Sequence, residues 1–150
     1  MKARIGFSSV LGSEYLEDLE RLLFFNPQQK RALSGIHHSI REYGVPSIAL
    51  DAGRLRVRVE QLPEVQTLYA LEDVNEKPIL VGVMVFSRID PSTVALLHIA
   101  VREEYSRFGA RADAMLVAKF LEQLRQIARK LKGVKAISLK YASGLTVPLQ

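Results

Sequence analysis

The sequence predicts an α/β domain built around a mixed sheet, and two observations carry this prediction. First, an apolar run at residues 94–101 is followed by a helical pattern at residues 111–132 and a second apolar run at residues 134–141. Two strands joined by such a crossover helix prefer to be parallel. Second, three extended runs between residues 65 and 101 are separated by short turns, which is typical of an antiparallel meander. The predicted sheet therefore contains both kinds of strand pair.

The N-terminal part of the chain predicts one strand followed by two helices. Residues 3–10 form the strand candidate, and Ser13 can cap a helix over residues 13–25 that has acidic side chains in its first turns. Asn26 and Pro27 suit the start of a second helix, which is predicted to end near residue 43 because Gly44 follows.

A hairpin is predicted next, with strands at residues 47–50 and 55–59 around a turn at residues 51–53. Arg54, Arg56 and Arg58 alternate with apolar residues, so they share one face of the second strand. This face is either a solvated outer surface or a binding surface for nucleic acid or an acidic partner. No aromatic residue interleaves the arginines, which disfavours a nucleic-acid platform.

The meander is predicted at residues 65–71, 79–89 and 94–101. Gly82 lies inside the middle strand and predicts either a bulge or a close approach of the backbone to another group. Glu72 and Asp73 follow the first strand. They are expected to be a solvated pair at the turn, with proximity to a bound amine as the alternative.

The composition is that of a globular protein. The chain has 150 residues, of which 48% are hydrophobic and 25% are charged, so we expect a single domain over residues 1–150. The absence of cysteine excludes disulfides, a thiol nucleophile and zinc–thiolate sites. No apolar run is long enough for a membrane span or a signal peptide, which predicts a cytoplasmic protein with no membrane partner.

The positive charge is concentrated in one part of the chain. The net charge is +5, and residues 107–135 contain eight basic side chains but only two acidic ones. This segment is either a solvated helix face, since Lys and Arg favour helix C-termini, or an anion-binding patch. Arg107 and Arg111 at the predicted helix start oppose the helix dipole, and a bound phosphate would explain their position.

The residues around this turn resemble a known motif. The sequence LHIAVREEYSRFGA at residues 97–110 is similar to the acetyl-CoA-binding motif of the GNAT N-acetyltransferases, an apolar strand followed by a Pro-Glu-Tyr and glycine-rich turn and a helix. Arg111 occupies the position of the second glycine, and Ser106 stands where the family usually has Arg or Gln. The order of predicted elements over residues 3–141 also agrees with that family.

The resemblance implies a GNAT-like acyl-CoA N-acyltransferase fold that is shortened at its C-terminal end. It implies acetyl transfer from acetyl-CoA, or another acyl-CoA, to an amine of a small molecule or a protein. It also implies a cofactor site in the strand and the turn that follows it. The implied cofactor-binding residues are Ile99, Ala100, Val101, Arg107, Phe108, Gly109, Ala110, Arg111 and Ala112. The alternative is a tight strand-to-helix turn that binds nothing.

His98 is the candidate catalytic residue. It is the only ionisable side chain in its strand, and an ordinary histidine pKa near 6.5 suits proton abstraction at neutral pH. The alternative is a core histidine that hydrogen-bonds to the backbone. No metal site is predicted, because the adjacent His37 and His38 point away from each other on a helix.

The end of the chain also bears on the function. GNAT enzymes usually continue with a further helix and two strands, whereas here residues 142–150 offer one short extended segment. An exposed sheet edge favours pairing, so we expect a homodimer. The rival to an enzyme is a catalytically inactive GNAT-like domain that serves in dimerisation, partner binding or ligand sensing.

Overall fold

The computed structural model describes residues 4–24, 44, 46–73, 77–105 and 115–139, together with the backbone of residues 145–148. Two α-helices, eight strands and two 3-10 turns lie in these ranges. In chain order they are β1 (Ile5–Ser8), a 3-10 turn (Ser13–Tyr15), α1 (Leu16–Phe24), β2 (Pro46–Asp51), β3 (Arg54–Val59), β4 (Gln66–Glu72), β5 (Ile79–Asp90), β6 (Thr93–Val101), a second 3-10 turn (Glu103–Tyr105), α2 (Leu116–Arg129), β7 (Ala136–Leu139) and β8 (Leu145–Pro148).

The main sheet has six strands in the order β1-β4-β5-β6-β7-β8. All neighbouring pairs are antiparallel except β6 and β7, which run parallel and are joined by the crossover that contains α2. The prediction of an α/β chain with a mixed sheet is thus confirmed. The meander β4-β5-β6 matches the predicted strands to within one or two residues.

The predicted hairpin forms a separate two-stranded sheet of β2 and β3. Its turn places Ala52 and Gly53 at φ values of 52° and 78°, the left-handed region that two-residue hairpin turns require. Arg54, Arg56 and Arg58 are exposed and the intervening residues of β3 are buried, which confirms the predicted alternation.

Two hydrophobic cores lie on opposite faces of the main sheet. On the first face, called the α1 face here, α1 and the buried side of β3 cover the sheet; its buried members include Leu19, Leu23, Leu55, Val57, Tyr69, Val83, Val85 and Leu97. On the second, the α2 face, α2 packs through its apolar stripe; its members include Ala70, Met84, Leu96, Leu116, Phe120 and Leu124. The burial of both faces explains the almost continuous apolar sequences of β5 and β6.

Gly82 in β5 lies beside a bulge and also allows a close approach to the backbone, the two roles that its position in the sequence predicts. The register between β4 and β5 shifts beside it, because Ala70 is opposite Gly82 while Leu71 is opposite Leu80. A Cβ atom at Gly82 would lie 2.7 Å from Cε2 of Phe120. Glycine therefore lets the Phe120 ring of α2 pack directly on the backbone of the sheet.

The crossover helix differs from its prediction at both ends. Met115 has a φ of 52°, which is left-handed, so α2 begins at Leu116 and a continuous helix over residues 111–132 is wrong. The helix ends at Arg129, and Gly133 takes the expected left-handed conformation with a φ of 89°. The first predicted helix begins as a 3-10 turn before α1, and the helix predicted at residues 27–43 lies outside the described residues.

None of the helices in the described ranges is both long and apolar enough to cross a membrane.

Candidate functional site

The parallel strands β6 and β7 pair along only part of their length. Their register joins Thr93, Val94 and Ala95 of β6 to the first residues of β7. Residues 96–101 continue β6 beyond this pairing, and within the described part of the chain no strand pairs with them on the β7 side. Among the described residues, the carboxyl-terminal half of β6 therefore has no strand partner on the β7 side. This unpaired stretch, called the gap between β6 and β7 here, lies at the edge where ligands bind to many open α/β sheets.

A β-bulge interrupts β6 next to this gap. His98 is opposite Val85 and Leu96 is opposite Phe86, so Leu97 is an extra residue with no opposite residue in β5. Because opposite residues in a sheet point to the same face, His98 shares the α1 face with Val85. Leu97 packs in the same core, so the bulge places two consecutive side chains on one face.

The backbone of β6 alternates between its neighbour and the gap. The N–H of Arg102 donates to the carbonyl of Val81 at 2.8 Å, in register with the β5–β6 pairing. By alternation, Ala100 directs its N–H and C=O groups to β5, whereas Ile99 and Val101 direct theirs towards the β7 side. Of the three strand residues that the resemblance implies, two thus face the gap with their backbone groups.

His98 is a buried, neutral side chain. It is 7% exposed, and burial lowers its pKa from 6.5 to about 4. It lies in one cross-strand row with Val85 and Thr67 on the α1 face. At neutral pH the imidazole carries no charge, so it can accept a proton or a hydrogen bond but holds a proton only weakly.

The remaining implied cofactor residues belong to the segment between the second 3-10 turn and α2. They lie outside the described residues, and their roles stay predictions. They are Arg107, Phe108, Gly109, Ala110, Arg111 and Ala112.

A buried polar pair near the end of β6 was missed from the sequence. Glu72 is 6% exposed and Tyr105 is 3% exposed, and the Tyr105 hydroxyl donates to Oε2 of Glu72. The prediction that Glu72 and Asp73 form a solvated pair at this turn is wrong for Glu72, although Asp73 is exposed. The missed signal is the alternation itself, because Glu72 is in phase with the buried residues Leu68 and Ala70 of β4.

Arg102 ties the end of β6 to its surroundings. Its Nε donates to the carbonyl of Leu80 at 2.8 Å, while its terminal nitrogens lie 3.8 Å from Asp18 and 3.7 Å from Glu104. The backbone bond to β5 fixes the side chain, and the two longer ion pairs at this half-exposed site add little stability. Together with the Glu72–Tyr105 pair, Arg102 anchors the start of the segment that leads towards α2.

The described residues contain no group of three or more His, Asp or Glu side chains that could hold a metal ion. Comparison with known proteins gives no further assignment of the gap. The chain matches no protein-family model, no curated protein and no solved structure.

Proposed function

We propose that this domain is an acyl-CoA-dependent N-acyltransferase that transfers an acetyl group to an amine. The gap between β6 and β7 is the observation that carries the proposal. The pantetheine arm of an acyl-CoA is an extended chain with two amides, so it can pair with a strand edge as another strand would. The backbone groups of Ile99, which point to the β7 side, are placed for such pairing.

The sequence between β6 and α2 supplies the second half of the proposed cofactor site. This segment brings two cations, Arg107 and Arg111, close in the chain to the end of β6. Guanidinium groups bind phosphate oxygens through paired hydrogen bonds. We assign the pyrophosphate of the acyl-CoA to this segment, on the strength of the motif that it resembles.

The proposed reaction places His98 on the acceptor side. The amine nitrogen attacks the thioester carbonyl, the C–S bond breaks, and the amine loses a proton while the CoA thiolate leaves and is protonated by solvent. A base whose pKa is about 4 cannot keep that proton at neutral pH, so His98 accepts a hydrogen bond from a neutral amine and relays the proton to solvent.

Isothermal titration with acetyl-CoA tests the cofactor site directly. We expect micromolar binding by the unmodified protein and unchanged binding by His98→Gln. Arg111→Gly restores the glycine of the motif but removes one of the two proposed phosphate contacts, so it should still bind. Arg129→Gly is a matched control, because it removes an exposed arginine at the far end of α2. Absence of binding to both the unmodified protein and Arg111→Gly would refute the proposal.

A second function, partner binding by a catalytically inactive domain, is favoured by the burial of His98 and by Arg111 in the glycine position. It predicts that acetyl-CoA binds only to Arg111→Gly or to neither protein. Thiol release measured with a panel of amines separates the two functions further. Binding of acetyl-CoA without transfer to any amine would indicate a ligand sensor.

The homodimer also remains a proposal, and it is supported by the edge of the main sheet. Within the described residues, β8 pairs with β7 alone and so forms one edge of the sheet. A second copy of the chain could pair with this edge. Sedimentation at several protein concentrations tests this idea, and a monomer at every concentration would contradict it.

A further inference from the structure

We propose that the edge of β3 at Val57 binds an extended peptide segment of a partner protein whose alternate side chains are acidic. This inference is independent of the acyltransferase proposal. It rests on a groove of about 1090 Å³ between β3 and the start of β4. Every residue of β3 from Leu55 to Val59 lines the groove, together with Ser9 and Val10 after β1 and Ser47 of β2, so the groove runs along β3.

The backbone at this edge is ready to pair with another strand. The N–H of Leu55 donates to the carbonyl of Leu11 at 2.8 Å, on the side of β3 that faces away from β2. By alternation, the N–H and C=O of Val57 point to the same side, into the groove. Within the described residues no strand pairs with Val57 there. An added antiparallel strand could exchange both of its backbone hydrogen bonds with Val57.

The side chains of β3 define which strand fits. Arg56 and Arg58 are exposed on the outer face, whereas Val57 is buried on the inner face. A strand added beside β3 would therefore place one set of alternate side chains next to arginines and the other set next to the hydrophobic core. Acidic residues in the first set and apolar residues in the second are complementary to this surface.

The arginines are available for a new partner. Within the hairpin, the residue opposite Arg58 is Ser47, which carries no charge. Arg56 lies 3.7 Å from Asp51, with 66% and 56% of the two side chains exposed, and such a pair contributes little. A carboxylate on the added strand could therefore approach both guanidinium groups without first breaking a strong ion pair.

The far end of the groove has the opposite charge. Glu60 and Glu64 line the groove where β3 gives way to β4. These carboxylates favour a basic residue at one end of the bound segment and so fix its direction. They also disfavour a nucleic acid, whose phosphates would be repelled at this end.

The test uses a fluorescein-labelled peptide in which glutamate alternates with valine and the first residue is lysine, because the N-terminus of an antiparallel strand would lie at the Glu60 end of β3. Fluorescence anisotropy measures its binding to the full chain. Two further versions carry N-methyl groups on every second amide, in the two possible phases. Only one phase should abolish binding, because a strand directs alternate N–H groups towards its neighbour. Equal binding of both versions would overturn the proposal.

Charge-reversal variants test the recognition of the side chains. Arg56→Glu with Arg58→Glu should weaken binding by about tenfold, as expected for the loss of two cross-strand charge pairs. Arg54→Glu is the matched control, since Arg54 is exposed on the same face of β3 but does not line the groove. The proposal would be overturned if both variants lost the same affinity or if the peptide did not bind at all. It would also be overturned if a single-stranded oligonucleotide bound more strongly than the peptide.

Discussion

Gly82→Ala is predicted to destabilise the protein through packing alone. The new Cβ atom would lie 2.7 Å from Cε2 and 3.1 Å from Cζ of Phe120, and 3.3 Å from the carbonyl oxygen of Ala100. Carbon atoms prefer separations of about 3.5–4.0 Å, so the ring would have to move by about 0.8 Å. Gly82 is not in the left-handed region, so alanine meets no backbone strain there.

The size of the effect follows from how tightly the Phe120 ring is held. Phe120 is fully buried and meets the Phe7 ring edge-on, with the centroids 5.2 Å apart. Overpacking of a core costs about 1–3 kcal/mol. Alanine also restricts the unfolded chain more than glycine does, which offsets about 0.4–1 kcal/mol of this destabilisation. We therefore expect a net loss of about 1–2 kcal/mol, which corresponds to a fall in Tm of about 2–8 °C for a chain of this size.

Urea unfolding followed by circular dichroism measures this loss, and Gly6→Ala is its matched control. Gly6 lies in β1 with no atom within 4 Å of an added Cβ, so alanine there should leave stability unchanged or raise it slightly. Phe120→Leu combined with Gly82→Ala should cost less than the sum of the two single changes, because the smaller side chain makes room for the methyl group. A Gly82→Ala protein as stable as the unmodified one would refute this reasoning.

Two further predictions concern the hairpin turn and the buried histidine. Ala52→Asn should raise the free energy of unfolding by about 1 kcal/mol, because Ala52 has a φ of 52° and asparagine tolerates this left-handed conformation better than alanine does. Equal or lower stability of the variant in urea would contradict this prediction. His98 has a pKa of about 4 in the folded protein and 6.5 in the unfolded chain. Between these pH values the unfolded state binds more protons than the folded state. The free energy of unfolding therefore falls as the pH drops from 6.5 to 4, by up to about 3 kcal/mol. His98→Gln should lose this part of the acid dependence, and an unchanged profile of unfolding free energy against pH would show that another group is responsible.

The strands of the meander could be predicted closely because local chemistry marks their ends. Asp90 accepts hydrogen bonds from the backbone N–H and the hydroxyl of Ser92, which closes the turn before β6. Local chemistry predicted the start of α2 poorly. Met115 has a good intrinsic helix propensity, yet it takes a left-handed conformation, so the surrounding structure overrides the preference of the residue.

The candidate site could be predicted only in outline. Residues 94–101 are apolar except for His98, so their sequence has no alternation from which a bulge at Leu97 could be recognised. The partner of Glu72 is Tyr105, a residue distant in the chain, and only the folded sheet brings the two together. The divergence of β6 and β7 likewise depends on where their register ends, which no local pattern encodes.

The bulge in β6 has a consequence for chain length. A single residue inserted into a regular strand turns every later side chain to the opposite face. At Leu97 this inversion does not occur, since His98 keeps its place opposite Val85 and Ala100 keeps its place opposite Val83. A homologue that lacked this one residue would keep the same side chains on the same faces throughout β6. Position 97 is therefore the place in this strand where relatives of the protein can differ in length by one residue without rebuilding either core.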